Sequence, residues 1–458
     1  MSRPLVPGDR QMPWLSALAR AGQVVPLKYR TRTNANVLPE STDPDRPLHY
    51  IDIGNVDSTG RIIGVEETTF SRAPSRARRL PDYGDTIIST VRTYLRAIAQ
   101  VLVRDPDLVC STGFAVIRGQ PELDARYLYY WLRSESVIDE ICARSTGVSY
   151  PAINASEIGS LPVPVPPLDQ QRAVAAFLDR KAAAIDALVA KKERLIELLE
   201  EKRQALITQA VTKGLDPSVS MKESGIEWID AMPSGWTTLP IKRLARSEPR
   251  AFTDGDWIET PFITESGVRL IQTGNVGQGQ YKEQGFRYVS ETTFADLRCT
   301  EVSPGDVLIC RLDGPVGRAC LAPALGVKMI TSVDNAVLKV SSGHDPRFIV
   351  YVLTTPTYLG WVQGLCRVGG GFRFRISRSM LGEFRVPVPP FRDQQAIADR
   401  LDSRTKALAE TTARLERQIV LLREYRQALI SAAVTGKLDV TRDGAHTEAV
   451  MEQVAAGA

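Results

Sequence analysis

The 458 residues are 43% hydrophobic and 24% charged, with a net charge of +4; this is the balance of ordinary water-soluble domains and excludes a fibrous or wholly disordered chain. At roughly 150 residues per domain the length predicts two to four units. No apolar run reaches the ~18 residues of a membrane span, and Met1 to Arg20, broken by Asp9, Arg10 and prolines, has no continuous apolar stretch of the secretory kind, so a cytoplasmic location is expected.

Residues 1–161 form the first predicted globule. From Val25 to Leu161 short strands alternate with Gly, Pro and Asp turns; Gly84-Asp85 turns into a buried strand at Thr86-Ile87-Ile88, and a helix is expected near Asp124 to Cys142. That mixture predicts an α+β fold. Residues 162–215 follow as a helical spacer. It is entered through Val163-Pro164-Val165-Pro166-Pro167, a run that presets extended backbone, then Gln170-Gln171.

From Asp169 to Thr212, Leu178, Ile185, Leu199 and Leu206 share one heptad position and Leu188 and Leu195 the companion seam, interrupted by Lys192. A helix of that length runs roughly 66 Å and needs a partner for its apolar stripe. Lys213-Gly214 stops it, and residues 216–238 read as a linker. Residues 239–384 form a second globule, with a helix expected near Asp345 to Cys366. A second spacer, 385–439, opens on Val386-Pro387-Val388-Pro389-Pro390 and Gln394-Gln395. Leu401, Leu408, Leu415, Leu422 and Leu429 lie seven apart along it, while the second seam mixes Arg404, Thr411 and Gln418. The obvious partner of either helix is the other, packed as a coiled coil. Residues 440–458 are a small, polar tail, expected to fray.

The chain is a tandem duplication. Arg203-Gln204-Ala205-Leu206-Ile207 and Val211-Thr212 return as Arg426-Gln427-Ala428-Leu429-Ile430 and Val434-Thr435, at a constant offset through both helices. Gly54-Asn55-Val56 returns as Gly274-Asn275-Val276, Glu67-Thr68-Thr69-Phe70 as Glu291-Thr292-Thr293-Phe294, and Gly84-Asp85 as Gly305-Asp306. Asp124, Arg126, Tyr130 and Leu132 match Asp345, Arg347, Tyr351 and Leu353. Between these landmarks the globules differ sharply, as one scaffold with two surfaces.

No catalytic constellation emerges. Gly436-Lys437 lacks the upstream glycine and hydroxyl of a phosphate loop, and Gly369-Gly370-Gly371 follows no strand-to-helix dinucleotide pattern. Three scattered histidines leave general-base chemistry unsupported. Six cysteines without C-x-x-C spacing argue against zinc and read as small core residues.

The basic residues are 44 Arg against 13 Lys. Arginine's planar fork suits phosphate and guanine, although genome composition alone can produce the same bias, so clustering matters more than the count. Arg72, Arg76, Arg78 and Arg79 crowd one segment, and Arg92 and Arg96 follow the buried strand. Arg311 and Arg318 occupy the equivalent strand and loop of the second globule. Arg367, Arg373, Phe374, Arg375 and Arg378 mix with glycines in a loop whose counterpart is Arg144 to Asn154, with Ser149 and Tyr150. Glycine permits close backbone approach, arginine neutralises phosphate or reads a base edge, and aromatic rings stack. Double-stranded DNA is the expected ligand of these candidates.

Taken together, the Pro-Val-Pro-Pro entry with Gln-Gln, the Arg-Gln-x-Leu-Ile exit with Ala-Val-Thr, and the Ser224-Gly225-Ile226-Glu227-Trp228 to Pro233-Ser234-Gly235-Trp236 segment resemble the specificity (S) subunit of type I restriction-modification systems over nearly the whole chain. One departure is the N-terminus, where Met12-Pro13-Trp14 is followed by a less typical run to Val25. The resemblance implies two target recognition domains, each reading one half of a split asymmetric DNA target, and two helices packed antiparallel that set the spacing in a pseudo-twofold arrangement. It implies a subunit without catalysis or cofactor of its own: two modification subunits would methylate adenine with S-adenosylmethionine, and restriction subunits would use ATP and magnesium. Two readings stay open beside it: the same module in a modification-only or fused restriction system, and a coiled-coil scaffold that binds protein.

Overall fold

A computed structural model describes residues 23–369 and 373–440. The fold is α+β, and two compact units interleave in sequence, residues 1–194 with 414–458 and residues 195–413. Each therefore holds one globule, the front of one long helix and the back of the other. Among the described residues no helix is long and apolar enough to cross a membrane.

The first globule pairs two four-stranded sheets. One is antiparallel throughout, in the order Thr31–Thr33, Phe114–Gly119, Thr86–Ser89, Ile98–Gln100. The other runs Glu66–Thr69, Pro47–Ile51, Leu108–Ser111, Ala77–Arg79, its central pair parallel. Alternation along the buried strand divides its residues between two layers. Ile87 joins Phe114 and Val116 against Ile51, Leu108 and Cys110 of the other sheet in one apolar cluster.

The second globule repeats this with an antiparallel sheet Phe252–Asp254, Asn335–Leu338, Val307–Cys310, Ala319–Leu321 and a mixed sheet Ile263–Thr264, Tyr288–Val289, Val268–Ile271, Met329–Thr331. Here Leu308 and Val337 meet Ile271 and Met329, while Val307 and Ile309 turn to Phe348, Val352 and Tyr358 on the helical side. The fourth strand of the mixed sheet sits on opposite edges in the two copies. The shared Glu-Thr-Thr-Phe tetrapeptide also diverges. In the first globule it lies on the strand Glu66–Thr69, whereas in the second Ser290 accepts the Thr293 amide at 2.9 Å and starts a helix, Glu291–Asp296. Only the phenylalanine keeps its place: Phe70 packs on Leu48, Tyr50 and Val109, and Phe294 on Val268, Leu270 and Ile330.

Two expectations need correction. The helices expected at Asp124 to Cys142 and Asp345 to Cys366 are each two helices, Ala125–Leu132 with Glu135–Arg144 and Pro346–Val352 with Pro356–Leu365. Ser134 and Thr355 sit at the breaks in extended backbone, and Pro356 presets the new first turn. Residues 216–238 are not a plain linker: Met221–Ile226 and Ile229–Pro233 form an antiparallel hairpin, and Met232 and Trp236 are buried in the core of the second unit. The proline runs are extended as expected, and each forms a strand, Pro162–Val165 paired with Gln23–Pro26 and Arg385–Val388 with Thr237–Pro240.

The long helices span Leu168–Lys213 and Phe391–Val434. In the first unit they run antiparallel: Arg426 reaches Asp186 at 3.1 Å and Arg423 reaches Glu193 at 2.7 Å. Leu178 and Ile185 are buried there and Leu188 half-buried. On the second helix Leu401, Leu415, Leu422 and Leu429 are buried and Leu408 half-buried. On the first helix the seam drifts. Leu195 is 43% exposed, Leu199 and Leu206 are only half-buried, and Ile207, Ala210 and Val211 take the buried positions. A straight helix of 3.6 residues per turn rotates ~20° per heptad, which carries Leu195 off the face that Leu178 defines.

The two interruptions of the seams meet, since Lys192 Nζ donates to Gln418 Oε1 and Gln418 is buried. Lys192→Met alone strands a buried amide oxygen and should cost ~1–3 kcal/mol. Lys192→Met with Gln418→Leu should regain wild-type stability or better, because an apolar pair replaces a desolvated polar one. A double-mutant cycle by urea unfolding measures the coupling; a strictly additive cycle would mean that the pair contributes nothing.

Candidate nucleic-acid interface

The duplicated landmarks first weld each globule to its helix. Asp124 caps Ala125–Leu132 by accepting the amides of Arg126 and Tyr127, and Asp345 caps Pro346–Val352 through Arg347. Gln171, wholly buried, accepts the Asp124 amide at 2.8 Å and donates to the Pro166 carbonyl at 2.8 Å. Gln394 does the same with Asp345 at 2.9 Å and Pro389 at 2.8 Å. Arg126 and Tyr130 converge on Asp179 at 2.6 and 2.7 Å, and Tyr351 donates to Asp402 at 2.6 Å with Arg347 at 2.8 Å. Burial pushes the Tyr351 hydroxyl up to about 12, so it stays protonated as the donor. These residues hold globule and helix together.

The loops at one end of the antiparallel sheet are superposable in their hydrogen bonds. In the first globule the Thr90 amide donates to the Gly113 carbonyl at 2.8 Å, Ile153 to Thr90 at 2.9 Å and Arg92 to Pro151 at 2.7 Å. In the second, Arg311 donates to Asp334 at 2.8 Å, Ile376 to Arg311 at 3.1 Å and Asp313 to Phe374 at 3.1 Å. The bridge Val91 to Ala152 answers the bridge Leu312 to Arg375. Arg92 and Asp313 even share left-handed backbone, at φ 51° and 44°, a conformation rare outside glycine and typical of constrained functional loops. One backbone framework thus presents two different sets of side chains.

The predicted arginines divide on this frame. Arg92 is exposed, its guanidinium 4.6 Å from the Tyr150 ring centre, and Ser149 and Tyr150 are exposed beside it. Arg76 belongs to the cluster, since its carbonyl takes the Thr112 amide, and it pairs with Asp52 at 2.7 Å. Arg375, paired with Asp334 at 2.9 Å, and the exposed Phe374 sit at the matching place. The backbones of Arg367–Gly369 and Arg373–Arg375 form an antiparallel hairpin; the side chains of Arg367 and Arg373 lie outside the described residues, as do Gly370 and Gly371.

Other candidates are spent within the protein. Arg311 is 5% exposed and donates to the Ile376 and Val333 carbonyls while pairing with Asp254 at 3.0 Å; burial pushes its pKa down. Arg318 donates to Val276, Thr273, Asp313 and Pro315 carbonyls, Arg378 is held by Asp254 and the Phe252 carbonyl, and Arg96 forms a two-pronged pair with Glu135. Buried carbonyls in irregular loops require donors, and arginine supplies several from one side chain. Arg78 stacks on Phe70, Arg79 is half-buried on the same strand, and Arg72 is exposed in the turn before it; none of the three bonds to the loop cluster.

The sequence reading did not single out one further candidate. In the second globule a cleft of about 290 Å³ is lined by Gln272, Asn275, Gln284, Ser332 and Asp334. Its signal was the repeated Gly-Asn-Val, which forms a tight turn closed by Asn55 on the Asp52 amide and by Asn275 on the Gln272 amide, both at 2.8 Å. Four of the six cysteines, Cys110, Cys299, Cys310 and Cys320, are buried, while Cys142 and Cys366 are half-buried; burial pushes the Cys110 and Cys320 thiols up to about 12.

Residues 75–198 and 257–420 match the family described as type I restriction modification DNA specificity domain. The chain is 22% identical over 350 residues to the type I restriction enzyme MjaVIII specificity subunit of Methanocaldococcus jannaschii, covering 74% of this chain and 76% of that one. It is 20% identical over 348 residues to the EcoBI specificity subunit of Escherichia coli, covering 74% and 71%. Among solved structures, a chain from work on complex assembly and conformational transition of the type I R-M system superposes with a TM-score of 0.71 at 23% identity, over 91% of this chain and 98% of that one. The HsdS subunit of Thermoanaerobacter tengcongensis gives 0.51 at 22% identity, over 91% and 97%.

Proposed function

The chain belongs to the type I restriction-modification DNA specificity family, and we propose from that premise that it is the DNA-recognition subunit in which each globule reads one half of a split target. The observation that carries this is the pair of loop clusters, alike in three backbone hydrogen bonds and a bridge and unlike in side chains. Phosphate contacts supply affinity without sequence information, whereas base-edge contacts supply the choice, so two differently dressed copies of one framework suit an asymmetric target.

The same proposal makes this chain non-catalytic. Two modification subunits carry adenine methylation with S-adenosylmethionine, restriction subunits carry ATP- and magnesium-dependent translocation and cleavage, and the assembly works in the cytoplasm. The helices are proposed to set the half-site spacing and to dock the modification subunits.

The complex of this chain with its modification subunits, offered the methylated target of its host and versions scrambled in either half, should bind each scrambled duplex at least about 100-fold more weakly, since each wrong base pair costs ~1–3 kcal/mol. Equal binding to all three duplexes would overturn the reading.

A further inference from the structure

Residues 147–151 make a closed protrusion on the first recognition cluster. Thr146 and Ala152 exchange both amide hydrogen bonds, each at 2.9 Å, and pinch the loop at its base. Gly147 adopts φ 109°, and a Cβ there would stand 3.1 Å from the Tyr150 carbonyl oxygen, so the turn demands glycine. Beneath it the Arg92 amide grips the Pro151 carbonyl, and Thr93 Oγ1 bonds Ser145 Oγ at 2.8 Å. The loop is braced at several points.

What this rigid frame holds out is apolar. Val148 is fully exposed, Tyr150 is 64% exposed, and the adjoining turn Thr93–Leu95 exposes Tyr94 and Leu95. At the position of Leu95 the second globule buries Val316 completely, so the exposure is particular to this copy. An exposed apolar cluster costs solubility and marks a contact surface. Its neighbour is Arg92, with no carboxylate partner among the described residues and its guanidinium on the Tyr150 ring. A cation beside an apolar apex complements a polyanion with a stacked apolar interior.

We propose that Val148 and Tyr150 form a wedge that enters between two base pairs of the half-site read by the first globule, unstacking that step while Arg92 holds the adjacent phosphate. The inference rests on the DNA-recognition reading above. Side chains inserted in this way separate two stacked base pairs and kink the duplex, so the site selects steps that unstack easily without hydrogen-bonding their edges.

The test uses the complex of the full chain with its modification subunits, without S-adenosylmethionine, and target duplexes carrying 2-aminopurine at successive positions other than the methylated adenines. A fluorescence rise is expected at one step of one half-site. Val148→Ser with Tyr150→Ser should abolish the rise and weaken binding to the intact target about tenfold or more, yet bind within about threefold of wild type once a mismatch at that step has removed the stacking cost. A wild-type complex that discriminates its target but gives no rise at any position overturns the wedge and leaves recognition standing. A rise that survives the double substitution also overturns it. A wild-type complex that fails to discriminate overturns the recognition reading itself.

Discussion

Gln171→Leu and Gln394→Leu should each lower the unfolding free energy by about 2–4 kcal/mol, because each leaves a buried backbone N–H and a buried carbonyl without partners at ~1–3 kcal/mol apiece. The groups are the Asp124 amide and the Pro166 carbonyl in one unit, the Asp345 amide and the Pro389 carbonyl in the other. Leucine matches the volume of the amide but satisfies neither. The neighbours Gln170 and Gln395 are exposed, so leucine there should change stability by less than ~0.5 kcal/mol. Urea unfolding of the four variants, followed by circular dichroism, separates these outcomes; equal effects at all four positions would sink the bridging role.

That contrast also measures what the sequence could say. The Gln-Gln pairs look equivalent, but the first begins three residues after its last proline and the second four. The buried glutamine stands four residues after the last proline in both copies, so Gln171 corresponds to Gln394 and Arg172 to Gln395. The offset shared by the prolines and the helix ends sets this register, and the hydrogen bonds agree with it. Leucine periodicity was legible on the second helix, where the sevenfold spacing stays on the buried face, and misleading on the first, where Leu195 has rotated outward.

Arginine clustering singled out side chains of two kinds, some exposed on the paired loops and others committed to the protein's own carbonyls and carboxylates. A sequence cannot reveal whether a guanidinium's donors are already committed to nearby carbonyls, as at Arg311 and Arg318. The landmarks shared between copies mostly mark the weld of globule to helix, since a duplicated fold must repeat its internal contacts. A surface outside those contacts is free to diverge, so comparing the two copies finds the scaffold more clearly than the exposed loops.

Inserting one heptad into both long helices, after Arg194 and after Ala413, should lengthen the unread spacer of the DNA target by about three base pairs, since seven helical residues add ~10.5 Å and a base pair rises ~3.4 Å. Both helices must grow together. Each unit holds the front of one helix against the back of the other, so an insertion in one alone would lengthen one of the two helices that join the units and not the other. A full heptad nearly preserves the phase of the seam, with ~20° of drift. Three base pairs also turn the duplex by about 100° at ~10.5 base pairs per turn; DNA twist or the proline-entered corners must absorb that rotation. Methylation at the new spacing should accordingly be weaker than wild type at the old. Methylome sequencing reads half-sites and spacer in one experiment: unchanged half-sites with a longer spacer are expected. An unchanged spacer with altered half-sites would show that the helices hold the recognition loops in shape and do not measure distance.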